Sequence, residues 1–170
     1  MLPHKQLYIF YLESKMNFMR FVVKYKEFNH ENSLLYLSNE MSFYVDHGEK
    51  NVYSLMLGSG YASLDVEIES GRALAITGYN PSFLWVKCEL EAPIYNTGEL
   101  FIVSKEELMS GAGSYYAKDW QTFYDPKSGW ICIGNKNINA HGDCVEFFKN
   151  IVAVVHDNQL LSVWLKPIIK

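Results

Sequence analysis

Hydrophobic and polar residues alternate with a period of two along most of the chain, most clearly between residues 143 and 166. Three runs rich in Val, Ile, Phe, Leu and Trp, at 143–148, 151–155 and 160–165, are separated by short groups of turn-forming residues. Such runs are typical of β-strands, and their close spacing predicts a three-stranded antiparallel meander. The middle run is apolar on both faces, which predicts a strand inside a sheet. Because Pro167 cannot donate to a ladder, we expect the meander to end there.

A hairpin is predicted between residues 61 and 79. The segments 61–69 and 72–79 flank Ser70 and Gly71, a pair that favours a two-residue turn. The same pattern predicts further strands at 18–25, 34–37, 41–45, 52–57, 83–90, 99–103, 120–124 and 130–133. A helix through 34–46 is the competing interpretation, but the aromatic and β-branched residues of that stretch favour strands.

One short helix is predicted near 104–110. Ser104 and Glu107 have the spacing of a capping box, and Gly111 is suitably placed to end a helix. Many short strands with turns every ~8–12 residues are otherwise typical of sandwiches and barrels. We therefore expect a mainly β fold, a single-domain antiparallel sandwich or partly open barrel with one short helix near 104–110.

The length of 170 residues suits one substantial domain. We assign residues 16–170 to a single β-rich domain and residues 1–15 to an upstream extension or an added edge strand. A secretion signal is the less favoured alternative, because the apolar core at 7–12 is short and no small-residue cleavage site follows it. If residues 1–15 are an upstream extension, Met16 or Met19 is the expected start of the native polypeptide.

Composition narrows the class of protein. Hydrophobic residues make up 49% of the chain and charged residues 20%, which is typical of a folded domain. The net charge of −4 disfavours nucleic acid as a partner, and no stretch is long and apolar enough to predict a membrane span. Three cysteines without close pairing indicate a reducing compartment, so we expect a cytoplasmic protein. The sequence predicts no cofactor and no metal site.

Acidic residues supply one candidate binding surface. Alternation places Asp65, Glu67 and Glu69 on one face of a predicted strand. Like charges in a row repel one another, so this face should be solvated or lie opposite cations. A solvated face is the simpler interpretation, and a match to a basic partner surface is the functional one.

Aromatic residues supply the second candidate surface. The glycine-rich stretch 111–114 leads into Tyr115, Tyr116 and Trp120. Aromatic side chains on loops are enriched at protein interfaces, although some of these residues must belong to the core. This group is predicted to border a pocket or a protein-binding patch.

His141 and His156 are candidate polar groups of a pocket. His156 precedes Asp157, and such a pair orients a general base when a nucleophile lies nearby. The sequence identifies no such nucleophile, and a solvated loop histidine and a turn histidine explain the two residues more simply. We therefore assign no catalytic residue.

Two classes of function stay open. The favoured one is a non-enzymatic protein-binding domain, for example a small bacterial inhibitor or an immunity-type protein. The alternative is a small-ligand-binding β-barrel or sandwich, with possible hydrolytic activity in a pocket lined by tyrosine and tryptophan. A flat acidic or aromatic face would favour the first class, and a deep apolar cavity would favour the second. An exposed edge strand would also allow two copies to pair as a homodimer.

Overall fold

A computed structural model describes residues 19–27, 29–137 and 142–170. Within them the fold is mainly β, with one 3₁₀ turn at Ser82–Leu84. The strands of this described part are β1 (Met19–Tyr25), β2 (Leu35–Leu37), β3 (Ser42–Tyr44), β4 (Val52–Leu57), β5 (Ser63–Glu67), β6 (Ala73–Tyr79), β7 (Val86–Lys87), β8 (Asn96–Ser104), β9 (Gly113–Ala117), β10 (Thr122–Tyr124), β11 (Ile131–Gly134), β12 (Asp143–Phe148), β13 (Ile151–His156), β14 (Gln159–Leu165) and β15 (Ile168–Ile169). The assignment of residues 1–15 concerns a segment that lies outside the described residues.

The strands form two mixed sheets, and in the described part of the chain neither sheet closes into a barrel. The first has eight strands in the order β1-β8-β12-β13-β14-β11-β10-β7, and the second has seven in the order β15-β2-β3-β6-β5-β4-β9. Four pairs are parallel, namely β7 with β10, β8 with β12, β2 with β15 and β4 with β9. The prediction of an antiparallel fold is therefore wrong for these pairs. Each joins strands that are not consecutive in the chain, and turn signals between neighbours carry no information about such pairings.

The meander predicted near the C-terminus is confirmed. β12 pairs with β13 and β13 pairs with β14, both in antiparallel orientation. Asn150, Asp157 and Asn158 occupy the two turns with φ values of 62°, 48° and 61°, a conformation that asparagine and aspartate tolerate better than most residues. β13 lies between its two neighbours and is buried from Ile151 to Val155, because both of its faces are apolar.

The hairpin predicted between residues 61 and 79 is confirmed as β5 and β6, but its turn is longer than two residues. The amide of Gly71 donates to the carbonyl of Glu67, and the amide of Glu67 donates to the carbonyl of Arg72, each at 2.9 Å. Residues 68–72 therefore connect the two strands. Gly71 has a φ of +73°, and a Cβ at this position would overlap the carbonyl oxygen of Ile102. The turn thus requires glycine because the chain passes close to β8.

The helix predicted near 104–110 is wrong, because the structure describes these residues and they are not helical. Ser104 is the last residue of β8, where it pairs with Met19. Its hydroxyl accepts a hydrogen bond from the amide of Glu106 at 3.2 Å, which makes a local turn instead of a helix cap. Met109 is exposed, so a helix here would bury too little apolar surface to offset the cost of nucleation. The strand predicted at 83–90 is likewise reduced to the 3₁₀ turn and β7.

Buried apolar residues from both sheets form one large cluster. Phe21 and Leu100 of the first sheet belong to it together with Leu64 and Ile76 of the second. A smaller cluster of Cys132, Val152, Val154 and Trp164 packs against partly buried residues of the 90–95 segment. Since successive residues of β13 fall alternately into the two clusters, the first sheet is covered on both faces. The second sheet carries its exposed residues on the face away from the large cluster, and the candidate surface lies there.

Candidate binding surface

Three exposed tyrosines share the outward face of the second sheet. Tyr44 of β3, Tyr61 at the entry to β5 and Tyr79 of β6 are all exposed. Their neighbours Phe43 and Ala62 point the other way and are buried in the large cluster. Because side chains alternate across a strand, the tyrosines must stand on the opposite, outward face. We call Tyr44, Tyr61 and Tyr79 the tyrosine face.

The sheet register brings these tyrosines side by side. Ser63 pairs with Thr77, which places Tyr61 opposite Tyr79, and the Tyr61 amide donates to the Tyr79 carbonyl at 2.8 Å. Ser42 pairs with Tyr79 from the other side, so Tyr44 lies one diagonal step away. Directly opposed residues on one sheet face have Cβ atoms ~4.5–5.5 Å apart. The backbone segments that carry Tyr61 and Tyr79 are therefore hydrogen-bonded neighbours, and Tyr44 lies on the next strand of the sheet.

Two further apolar side chains extend from the same end of the sheet. Phe83 and Leu84, which we call the apolar knob, belong to the 3₁₀ turn that follows β6. Phe83 is 70% exposed and Leu84 is 58% exposed. Sequence reasoning assigned both residues to a strand and so missed them. The signal available was the adjacent Phe and Leu directly after Asn80-Pro81-Ser82, a sequence that favours a turn.

A buried asparagine holds the base of the apolar knob. The side chain of Asn80 donates to the Thr122 hydroxyl at 3.0 Å and accepts from the Trp85 indole N–H at 2.6 Å. The Tyr36 hydroxyl donates to the Asn80 carbonyl at 2.9 Å and accepts from the Ser82 amide at 3.1 Å. These bonds tie the residues on both sides of Pro81 to the core. The backbone that carries the knob is therefore fixed, while the side chains of Phe83 and Leu84 are exposed.

Asp65 is buried, although strand alternation predicts a solvated side chain at this position. It does lie on the outward face of β5, yet it is only 6% exposed. Its carboxylate accepts hydrogen bonds from the hydroxyls of Ser63 at 3.1 Å, Ser54 at 3.3 Å and Thr77 at 2.7 Å. His47 covers it from the 46–51 loop, with Nε2 at 3.3 Å from the carboxylate. A tertiary contact from this loop, which strand periodicity does not reveal, buries the acid.

The His47 imidazole is fully engaged by its neighbours. Its Nδ1 accepts the Glu49 amide at 3.2 Å, so its Nε2 must carry the proton that is donated to Asp65. Neither nitrogen is left to act as a general base. We conclude that the hydroxyls, Asp65 and His47 form a polar cluster that fixes the 46–51 loop on the sheet.

Glu67 and Glu69, the other two carboxylates predicted for this surface, have different environments from that of Asp65. Glu67 is half-buried at the end of β5 and accepts a hydrogen bond from the Ser70 hydroxyl. Glu69 is exposed in the turn between β5 and β6. The three residues therefore do not form one uniform acidic row.

The three residues of the predicted aromatic group, Tyr115, Tyr116 and Trp120, also lie in different environments. Tyr115 points outward from β9, and Lys118 Nζ lies 4.6 Å from the centre of its ring. Tyr116 is buried, its ring packing edge-on against Phe21 at 5.2 Å, while Trp120 packs edge-on against Tyr116 at 5.7 Å. Tyr115 is thus part of the outward face of the second sheet. Tyr116 is a core residue, and the half-buried Trp120 packs against the core.

Tyr116 also links the two sheets through its hydroxyl group. The hydroxyl lies 3.2 Å from the Leu160 carbonyl and accepts a hydrogen bond from the Leu160 amide at 3.2 Å. Burial raises the pKa of Tyr116 to about 12. The neutral phenol is therefore the form that fits the interior.

This pKa shift predicts a loss of stability in alkali. Below pH ~10 the phenol is neutral in both states, and between ~10 and ~12 only the unfolded chain releases the proton, so stability falls. We expect the Tyr116 contribution to the free energy of unfolding to decrease by roughly 2–3 kcal/mol over this range. Urea unfolding at pH ~9 and ~12 should show a smaller alkaline loss for Tyr116→Phe than for the wild type. Equal losses in the two proteins would contradict this prediction.

The two predicted pocket histidines are not brought to a described site. His156 is exposed at the end of β13, and its Nε2 lies 3.3 Å from the Asp157 carboxylate. His141 lies outside the described residues. The hypothesis that these two histidines supply the polar groups of a pocket stays a prediction.

A half-open cavity of about 730 Å³ lies beside the segment that covers the first sheet, and it is neither as deep nor as apolar as a ligand-binding barrel would require. Its walls include Leu90, Ile94, Lys136 and Cys144. Burial raises the pKa of the Cys144 thiol, so this thiol is held in its neutral form. Lys136 Nζ lies 3.9 Å from the sulfur of Cys88. The cavity combines aliphatic walls with polar side chains and is large enough for a small organic ligand.

The structure has neither a metal-ligand cluster nor a membrane-spanning helix within residues 19–27, 29–137 and 142–170. There, no three His, Cys, Asp or Glu side chains come together as potential metal ligands. In the same ranges, no helix has the length and apolar character needed to cross a membrane. Comparison with known proteins yields no matching family model and no matching curated protein.

Proposed function

We propose that this protein is a non-enzymatic binding domain that recognises another protein through the tyrosine face and the apolar knob. The two sheets would pack as a sandwich, with the large shared cluster between them and the tyrosine face outside. A small bacterial inhibitor or an immunity-type protein would work in this way, by presenting one fixed surface to one partner.

The exposure of Phe83 and Leu84 is the observation that carries the proposal. Burying one such side chain contributes roughly 1.5–3 kcal/mol, and here that surface is left in water. The hydrogen bonds of Asn80 and Tyr36 hold the knob in place without burying it. A backbone that is fixed before binding loses little conformational entropy when the side chains it carries enter a partner, which favours tight binding. Tyrosine is also among the residue types enriched at binding hot spots, and phenylalanine is enriched at protein interfaces.

The proposal is tested by using the whole chain as bait in an extract of its native host. Captured proteins are identified by mass spectrometry, and the affinity of the stoichiometric one is then measured. We expect Phe83→Ser to weaken that affinity roughly thirty-fold or more, as loss of an interface hot spot does. Met109→Ser is the matched control, because Met109 is 64% exposed and lies in the segment after β8, outside both candidate sites. Neither substitution should change stability by more than about 0.5 kcal/mol, since both side chains are exposed.

The proposal would be overturned if the Phe83→Ser variant captured the partner protein with unchanged affinity. So would equal losses of binding in Phe83→Ser and Met109→Ser, which would indicate unspecific adhesion of apolar surface. Loss in the Phe83 variant alone would support it.

The half-open cavity of about 730 Å³ is the observation behind a second candidate function, the binding of a small organic ligand with possible hydrolytic activity. Its volume falls in the range of ordinary ligand sites. Denaturing the purified bait and analysing the released small molecules distinguishes the two candidates. A stoichiometric compound in the absence of a protein partner would support the second candidate and contradict the first.

A further inference from the structure

We propose that two copies of this chain associate through residues 86–90, which pair with themselves in antiparallel orientation across a two-fold axis at Cys88. This inference goes beyond the proposed function, because the partner is a second copy and the surface is an edge of the first sheet. It is carried by an open strand edge and by the order of charged and apolar residues along that edge.

The open edge belongs to β7, the last strand of the first sheet. In the described part of the chain, β7 pairs with β10 on one side and has no neighbouring strand on the other. The Cys88 amide donates to the last carbonyl of β10 at 3.0 Å, and the Leu90 amide donates to the Asp125 carboxylate at 3.1 Å. Because amide directions alternate along an extended strand, the backbone groups of Lys87 and Glu89 point away from β10 and can meet a second strand.

The side chains along this edge are complementary to themselves in charge. The sequence around Cys88 is Val-Lys-Cys-Glu-Leu, from residue 86 to residue 90. Antiparallel pairing about Cys88 sets Lys87 of each copy opposite Glu89 of the other copy. Both side chains are exposed, and opposite charges directly across an antiparallel pair are stabilising. On the other face of the strand, the exposed Val86 meets the half-buried Leu90.

The same register also satisfies the backbone. Lys87 and Glu89 of the two copies form hydrogen-bonded pairs, in which each pair exchanges both of its N–H···O=C bonds. Cys88 then faces Cys88 of the second copy in a pair without backbone hydrogen bonds, where the Cα atoms lie ~4.5 Å apart. A disulfide can span this distance, so the two thiols report on the proposed contact.

The other strand edges are less suited to pairing with themselves. At the opposite edge of the first sheet, the Phe21 amide and carbonyl already bond to Asn158, at 2.9 Å and 3.1 Å. Pairing of β1 with itself about its centre would set Arg20 opposite Lys24 of the second copy, and like charges across a pair are destabilising. The terminal strands of the second sheet, β9 and β15, contain no charged residue that would select a register.

Charge reversal in the complete chain tests the pairing. Lys87→Glu makes the edge acidic and Glu89→Lys makes it basic, so each should weaken self-association by at least about ten-fold. An equimolar mixture of these two variants should associate like the wild type, because opposite charges then face each other. Sedimentation velocity over a concentration series measures the association. Lys118→Glu is the matched control, because it reverses an exposed charge just after β9, and it should leave the association unchanged.

Oxidation with diamide locates the two-fold axis. Two Cys88 thiols form one disulfide, and diamide takes up the two hydrogen atoms that they lose. We expect a covalent dimer from the wild type and a covalent heterodimer from the mixed charge variants. Cys88→Ser should give none, because Cys132 is buried and Cys144 lies away from the proposed axis.

The inference would be overturned if the wild type sedimented as a monomer over the whole concentration series. It would also be overturned if Lys118→Glu weakened association as much as Lys87→Glu, or if the covalent dimer persisted in Cys88→Ser. Association restored in the mixture, with a disulfide at Cys88, would support it. None of these measurements involves another protein, so their outcome leaves the proposed partner binding to its own test.

Discussion

Replacement of Trp164 by alanine should lower the free energy of unfolding by about 3–5 kcal/mol, one of the largest effects available to a single substitution in this chain. Trp164 lies in β14, which is hydrogen-bonded to β13 on one side and β11 on the other. The side chain is fully buried in the smaller apolar cluster. Its truncation therefore removes a large apolar contact and leaves a cavity that the paired strands cannot close.

Polar contacts add to the cost of losing Trp164. Its indole N–H donates to the buried Ser162 hydroxyl at 3.1 Å, and its ring packs edge-on against Trp130 with the centres 6.5 Å apart. Without the indole, the Ser162 oxygen loses its donor in an interior position, which is unfavourable.

Urea unfolding of the purified protein measures this effect. Phe83→Ala is the matched control, because it truncates an aromatic side chain that is mostly in solvent and should change stability by no more than about 0.5 kcal/mol. A loss of less than about 1 kcal/mol for Trp164→Ala would show that the smaller cluster is not a packed core.

Gly78→Ala is expected to cost roughly 2–4 kcal/mol, because it combines backbone strain with a steric clash. Gly78 has a φ of +95°, which favours glycine. A Cβ at this position would overlap the carbonyl oxygen of Tyr61 and lie 3.3 Å from its carbonyl carbon. The substitution must therefore push β5 and β6 apart where Tyr61 and Tyr79 stand side by side. We expect binding through the tyrosine face to weaken together with stability.

Gly48→Ala is the matched control for Gly78→Ala, because it introduces backbone strain without a steric clash. Gly48 has a φ of +71°, and a Cβ there would meet no atom within 4 Å. It should cost about 1–2 kcal/mol from the left-handed conformation alone. Thermal or urea unfolding of both variants gives the comparison. Equal losses for Gly78→Ala and Gly48→Ala would mean that β5 and β6 tolerate a methyl group between them.

Much of the strand content was predictable, because side-chain alternation and turn residues are visible within short segments of the sequence. The runs 143–148, 151–155 and 160–165 carry turn residues between them, and the structure has β12, β13 and β14 at nearly the same bounds. The hairpin at 61–79 was found for the same reason. The helix near 104–110 was predicted wrongly, because the capping-box spacing of Ser104 and Glu107 also fits a turn at the end of a strand.

The candidate surface was only partly predictable. Alternation correctly placed Asp65 on the outward face of β5, but it could not reveal that His47 covers the carboxylate. Adjacent residues such as Tyr115 and Tyr116 look alike in sequence, while the strand sends one outward and the other into the core. The apolar knob was missed because Phe83 and Leu84 resemble core residues until their exposure is known.

By itself the sequence determined that this chain is mainly β and where its hairpins turn, since side-chain alternation and turn dihedrals are properties of short segments. The tertiary structure decided the parallel pairings, the burial of Asp65 and the exposure of Phe83. These three features depend on contacts between residues that are far apart in the chain. Such contacts form when whole sheets pack together, so neighbouring residues in the sequence do not predict them. The proposed binding function depends on these tertiary features, because a binding surface is made of the side chains that remain exposed after the sheets have packed.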